Sequence, residues 1–565
     1  MNERFKTLVR HFFSRFFDTE SMSADADERA NVVQIVALLA VPGALISLFT
    51  IANHALIRSE VTRQWLRAGD HYVFVSYAMV VMGFVMTFKW DSLFPDRRDY
   101  LILTPLPVSV RGFFVAKVIA LCAFLLVFVV AINIFSCIIV PYGYLLRLNR
   151  IEVVLPAFIA HASAVLGGAI FMAMFFAALQ GVLINLMSPA AFRRVSPWIQ
   201  MISMAILVTV LLITPGISAN LRLLVESNTP ALDYIPMFWF LGIYEVINPE
   251  STFIPAAYDW AKTAAAAMLV VYVLFVVTYL VGYRRYSKKI LEGVESEVFA
   301  QSWYARAGAS MMNLTLLRHP VQRASFYFIG RIFGRSTKHR LFIAMYSGVG
   351  LAVMISSLFA LRRGGDSLLM ISYTGLTEAP LILSFFVVSG LRATFNIPYE
   401  LNANWMFQVT SGTDAGEFLK AARTWVLARG IIPAYAALAP LEWMFLGAYE
   451  AMFNLLFGLA VAAVLTEVFF YRFNKVPFTC SYLPAKSHLA FLGAAYLYGF
   501  TIYTSSMSGL QLWVGGSPER LVLFFAVIGV ILATLAWYRR AQLHSIQLIY
   551  EDKADPLVRT LNLSP

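Results

Sequence analysis

The densest group of chemically active side chains in this chain is WDSLFPDRRDYLILTPLPVSVRGFFVAKVI, residues 90–119. It sets Asp91, Asp96, Arg97, Arg98 and Asp99 beside Tyr100, breaks an apolar stretch with Pro105 and Pro107, and closes with Ser109, Arg111 and Lys117. Carboxylates alternating with guanidinium groups make a charged surface. Proline is costly inside an α-helix, so the spacing predicts a short helix over 97–104 that stops before a new one begins. A short charged helix with an apolar face suits docking to a soluble partner, and an ordinary polar loop fits the same residues equally.

Four more polar residues lie in otherwise apolar runs: Arg429, Glu467, His161 and Asn133. On antiparallel helices the depths of Arg429 and Glu467 differ by about four residues, or roughly 6 Å of rise. A lone charge at a helix centre costs about 2.5–3.5 kcal/mol on insertion scales. An Arg429–Glu467 ion pair or shared polar cavity is therefore expected, with the locking of two helices favoured over a transport role. His161 and Asn133 are expected as interhelical hydrogen-bond partners rather than proton relays. Gly167 and Gly168 read as close-packing positions.

Other chemistries lack their residues. No GxxxxGK[ST] occurs; GRIFGRST (330–337) is one residue short, has Arg for Lys and follows no predicted strand. No LSGGQ-like signature is present. Cys122, Cys137 and Cys480 form no CxxC pair, so neither a disulfide nor a zinc site is expected. No residue set is assigned a catalytic or metal-binding role.

These residues must be held by membrane-spanning helices. The 565 residues are 59% hydrophobic and 13% charged, where a soluble protein carries about 25% charged residues. Charge-free runs at 32–54, 72–88, 118–140, 153–192, 195–221, 263–283, 341–361, 487–518 and 521–538 predict spans. Three further runs tolerate a charge: 370–391 with Glu378, 421–437 with Arg429, and 443–471 with Glu450 and Glu467. The result is an all-α polytopic membrane protein with about twelve spans of roughly twenty residues. The run 153–192 is read as one helix kinked near Pro156. The first apolar run lies too far in and is too long for a cleaved signal peptide.

Charge sets the expected orientation. Basic residues crowd the N-terminus, the segment 284–340 and the tail after 538, which share a side if each half has six spans. The positive-inside rule makes that side the cytoplasm. The net-acidic loop 222–259 then falls outside, and Arg58, Arg63 and Arg67 are a mild exception. The net charge of +12 thus serves topology, and no nucleic acid is expected as a partner. Phe5, Leu8, Val9, Phe12, Phe13 and Phe16 recur at helical spacing opposite basic residues. They predict an interfacial helix lying apolar face down on the inner leaflet, in preference to one packed on protein. The expected organisation is this helix and an acidic hinge (1–30), a first six-helix half (31–283), a basic linker (284–340), a second half (341–538) and a tail (539–565). Pro95 precedes Lys117 by 22 residues as Pro398 precedes Lys420, in equivalent loops, so the halves read as a parallel repeat.

The stretch RRDYLILTPLPVSVRGFFVAK, with Arg97, Arg98, Tyr100, Leu106, Pro107, Ser109 and Lys117, resembles the first cytoplasmic loop of type-two ABC exporter permeases. The resemblance implies six spans per half, an interfacial helix before the first, and re-entrant helices before the sixth, a place that the apolar part of 221–249 would fill. It covers the first half. The second-half loop 395–423 carries Pro398, Glu400, Trp405, Lys420 and Arg423 but no LPxS element.

What the resemblance implies is a permease subunit that moves an amphipathic substrate by alternating access. The chain itself would hold no cofactor: ATP and magnesium would be bound by a partner ATP-binding subunit, expected as a dimer docked on the two loops. The expected location is the bacterial inner membrane, with both termini cytoplasmic. An ion-gradient-driven secondary transporter and a membrane-embedded transferase are the alternatives.

Overall fold

The computed structural model describes residues 3–17, 28–56, 60–93, 110–148, 151–227, 229–248, 254–291, 303–361, 369–401, 404–410, 415–471, 473–480, 489–542 and 548–549. They divide into two compact units, Met1–Val195 with Ile206–Ser296, and Ser196–Ala205 with Glu297–Pro565.

The first unit contains α1 (Glu3–Phe17), α2 (Glu28–Leu56), α3 (Glu60–Phe88), α4 (Val110–Leu148), α5 (Ile151–Leu186), most of α6 (Pro189–Ala219), α7 (Leu221–Glu226), α8 (Pro236–Ile247) and α9 (Ala257–Leu291). The second contains α10 (Trp303–Thr315), α11 (Pro320–Arg335), α12 (Thr337–Leu358), α13 (Tyr373–Phe395), α14 (Asn404–Thr410), α15 (Ala415–Trp425), α16 (Ile432–Leu446), α17 (Ala448–Phe469), α18 (Leu489–Gly515) and α19 (Pro518–Gln542). A π-helical turn, Val426–Ile431, joins α15 to α16. The strands β1 (Phe359–Leu361) and β2 (Leu369–Ile371) form a small antiparallel pair, with Ala360 opposite Met370.

Among the described residues, ten helices are long and apolar enough to cross a membrane. This is a polytopic all-α membrane protein, because in lipid every backbone polar group must be paired within the chain and a helix does so within one segment. Burial separates the helices by role. Of the apolar window of α3, and likewise of α13, 78% is buried, so each is the centre of its unit. The corresponding shares are 11% for α9 and 6% for α19, whose apolar surfaces face outward.

The run 153–192 resolves into one helix. α5 runs through Pro156 and stops at Leu186, and the Ser188 hydroxyl accepts from Ala191 N–H to cap α6, which begins with Pro189. Such a cap followed by Pro at the first helical position is a start signal.

Two expectations are corrected. The apolar face of α1 does not simply lie on lipid: Leu8, Phe12 and Phe16 are buried against α4, with Phe16 stacked on Phe124 at 4.9 Å. The segment before α9, where the resemblance implies re-entrant helices, packs into the unit. α8 buries Phe238, Leu241, Tyr244 and the charged Glu245. Finally, α3 starts at Glu60, so Arg67 lies in a helix and is buried rather than in a loop. In both corrected cases neighbouring helices cover polar or amphipathic surface that one-dimensional hydropathy assigns to water or lipid.

Candidate functional site

The second-half loop is anchored on three sides. Tyr399 N–H donates to the Phe478 carbonyl (3.1 Å), Phe478 N–H donates to the Phe395 carbonyl (2.9 Å), and Asn404 Nδ2 donates to the Thr479 carbonyl (2.7 Å). The His339 ring nitrogen Nε2 sits 2.9 Å from the Ile397 carbonyl. Phe478 has φ +69°, which is rare for a bulky residue and costs on the order of 1–3 kcal/mol. Its ring packs against Phe328, Phe333, Phe395 and His339, and this packing holds the conformation.

On this base sits α14, whose Phe407 turns inward to Phe328 and Phe418. Trp405 (64% exposed), Met406 (58%) and Val409 (76%) point outward. Of the residues expected in this loop, Pro398 is half-buried, Glu400 and Lys420 are exposed, and Lys420 pairs with Glu417 at 3.7 Å.

Arg423 leads to the second feature. Its Nε lies 3.8 Å from Glu467 Oε2, and Arg539 Nη2 contacts the same oxygen. One carboxylate thus ties α15, α17 and α19 together at one end of the unit. The expected Arg429–Glu467 pair does not form: Arg429 is exposed on the π-turn. Matching depth was not enough, because Arg429 lies on the π-turn, more than one helical turn past Arg423, and faces outward rather than toward Glu467.

In the first-half loop, Asp96, Arg97, Arg98, Asp99, Tyr100, Pro105, Pro107 and Ser109 lie outside the described residues. Arg111 is in the first turn of α4, with its side chain outside the description. Lys117 is a buried residue of α4, its Nζ 5.5 Å from the centre of the Phe12 ring.

The two intramembrane polar residues of the first unit are also placed differently. Asn133 Nδ2 donates to Val129 carbonyl of its own helix at 2.9 Å. His161 is fully buried, with no hydrogen-bond partner on either ring nitrogen among the described residues. It meets His71 and Phe74 edge-on, at 5.2 and 5.3 Å. His71 in turn stacks on Tyr244 at 3.6 Å, and Asn248 Nδ2 donates to the Tyr244 hydroxyl at 2.9 Å. The sequence signal for this cluster was the polar run Arg67, Asp70, His71 ahead of an apolar stretch, which hydropathy assigned to a loop.

Compared with family models, with curated proteins and with solved structures, the chain has no match.

The third feature is a polar group inside the second unit that the sequence reading missed. Glu442 is wholly buried in α16, and its Oε1 accepts from Asn454 Nδ2 at 2.9 Å. Asn454 Oδ1 accepts from Gln511 Nε2, and Asn454 Nδ2 also lies 3.4 Å from the Leu376 carbonyl. Nearby, Tyr435 OH donates to the Pro380 carbonyl (3.0 Å) and meets Ser384 Oγ at 2.6 Å. Glu442 falls between the expected spans 421–437 and 443–471, a stretch read as a connection. In fact the helix continues to Leu446 and turns at Gly447, whose φ of +85° is open to glycine. The helix runs nine residues beyond its expected end at 437, and that added length carries the carboxylate inside.

Proposed function

We propose that this chain is the membrane-spanning permease subunit of an ABC exporter, moving an amphipathic substrate by alternating access. Twelve spans form two parallel six-helix halves: α2–α6 and α9, then α12, α13, the α15–α16 pair, α17, α18 and α19. ATP and magnesium are bound by a separate ATP-binding subunit, which docks on the loops of both halves, and this chain has no catalytic role of its own. The protein lies in a bacterial inner membrane with both termini cytoplasmic.

The observation that carries this reading is the pinned α14 helix. A short helix tied by the Asn404–Thr479 hydrogen bond and by Phe407 packed on Phe328 and Phe418 presents Trp405, Met406 and Val409 outward. The chain continues through α15 into the Arg423–Glu467–Arg539 clamp, which ties spanning helices together. A push on α14 therefore has a stiff path into the membrane. Large exposed aromatic and methionine side chains are typical interface anchors.

The repeat has support in the packing. α1 packs on α4 as α11 packs on α15, and α3 packs on α5 as α13 packs on α17. The Phe16–Phe124 stack has a counterpart in Phe333–Trp425, stacked at 4.8 Å. The halves part before their last helix: α7 and α8 precede α9, whereas only Gly516 and Ser517 separate α18 from α19. On this reading α8 is the counterpart of the re-entrant helices that the family resemblance implies.

The test is affinity purification of the tagged protein from its native membrane, with ATP hydrolysis measured on the product. A stoichiometric Walker-motif ATPase, lost in Trp405→Glu and in the Arg97→Glu, Arg98→Glu, Arg111→Glu triple variant, is the expected result. A homogeneous preparation with no ATP turnover overturns the reading and favours an ion-gradient-driven carrier, for which the buried Glu442 carboxylate is the relevant observation.

A further inference from the structure

Glu442 is a wholly buried carboxyl group with no cation beside it. Among the described residues no Lys or Arg pairs with it, and its Oε2 has no hydrogen-bond partner. Gln511 Oε1, 5% exposed as a residue, is a second buried oxygen without a donor. A third oxygen comes from the backbone. Pro380 sits four residues after Leu376 within α13 and has no N–H, so the Leu376 carbonyl loses its helical partner. That carbonyl turns to the same group, 3.4 Å from Asn454 Nδ2. One carboxylate, two carboxamides and a freed carbonyl converge from α13, α16, α17 and α18.

We propose that these four groups bind a desolvated inorganic monovalent cation, sodium or potassium. The chemistry of the donors argues for it. The two atoms left without a donor, Glu442 Oε2 and Gln511 Oε1, are hard oxygens, which suit alkali and alkaline-earth ions over transition metals. With Glu442 ionised the set carries a charge of minus one, which a single positive charge neutralises and a divalent ion overcompensates. An isolated buried carboxylate is strongly disfavoured, and intramembrane ionisable residues mark ion paths. Carbonyls freed within spanning helices serve as cation ligands in membrane carriers.

The site lies near one face. Glu442 is five residues before Gly447 and Gln511 four before Gly515, about 6–8 Å of helix from each turn. The Glu467 clamp is at the other end of α17, thirteen residues from Asn454, or roughly 20 Å away. Cation binding at Glu442 requires no ATPase partner.

The full-length protein, purified in detergent, is melted in sodium chloride, potassium chloride or choline chloride at constant ionic strength. The expected result is a melting temperature that rises saturably with sodium or potassium and stays flat in choline, as ligand linkage requires. Glu442→Gln removes the charge while keeping shape, and abolishes the cation response. Gln511→Leu raises the half-saturating concentration by about tenfold, the effect of losing one ligand. Glu450→Gln, on the exposed side of α17, leaves the response intact. Equal melting in all three salts overturns the proposal, as does an unchanged cation response in Glu442→Gln. If Glu442→Gln does not fold, binding of radioactive sodium or rubidium to Gln511→Leu decides: wild-type affinity overturns the site.

Discussion

Arg423 and Glu467 face each other across two helices, Nε to Oε2 at 3.8 Å, with side chains only 13% and 17% exposed. Arg539 shares the same carboxylate oxygen. Removing Glu467 strands two largely buried guanidinium groups together. Glu467→Ala should destabilise the protein by about 3 kcal/mol, the usual cost of breaking a buried pair, read as a lower melting temperature in detergent. Arg429→Leu should lie within about 0.5 kcal/mol of wild type, as for an exposed position. Equal effects would show that the pairing runs through Arg429 instead.

Gly242 packs α8 against α9. A Cβ there would stand 2.6 Å from the Ala257 carbonyl oxygen and 2.7 Å from Trp260 Cβ, neither of which is a loose side-chain end. Gly242→Ala should therefore cost about 1–3 kcal/mol, the range for overpacking. Gly529 in α19 has nothing within 4 Å of an added Cβ. Gly529→Ala should be neutral or stabilising by up to about 1 kcal/mol, since alanine is the better helix former. Thermal melting of the two variants side by side distinguishes them.

The Tyr244 ring covers His71, and its hydroxyl accepts from Asn248. Tyr244→Phe keeps the stack and loses the acceptor, so a loss of about 1 kcal/mol is expected. Tyr244→Ala also opens the space beside His71 and His161 and should cost about 3–5 kcal/mol. A Phe variant as damaged as the Ala variant would place the weight on the hydrogen bond rather than on the ring.

Trp405 contributes little to the fold because most of its surface is outside. Trp405→Glu should leave the melting temperature of the isolated chain unchanged within error. On the proposed function it should weaken retention of the ATP-binding partner at least about tenfold, as loss of an interface anchor does. Pull-down from membranes and melting of the purified chain, done on one preparation, separate the two effects.

Much of the helical layout was legible from hydropathy, because a lipid environment leaves the backbone few alternatives. Boundaries failed where polar residues lie inside helices. Arg67 and His71 pushed the expected start of α3 twelve residues late, from Glu60 to Tyr72. Glu442 broke one long helix into an apparent loop. In each case a neighbouring helix supplies the polar partner or the cover, and a window average over one segment carries no trace of it.

By itself the sequence determined that this chain crosses a membrane many times as α-helices. It also determined that basic residues cluster between the apolar runs, because charge and hydropathy are properties of single segments. Only the tertiary structure decided which polar groups meet: Glu467 with Arg423 and Arg539 rather than Arg429, α1 with α4, and Glu442 with Asn454 and Gln511. Those meetings depend on the azimuth of each side chain and on where each helix turns. A π-turn, a proline or a glycine at the end of a helix changes both without altering the hydrophobic pattern.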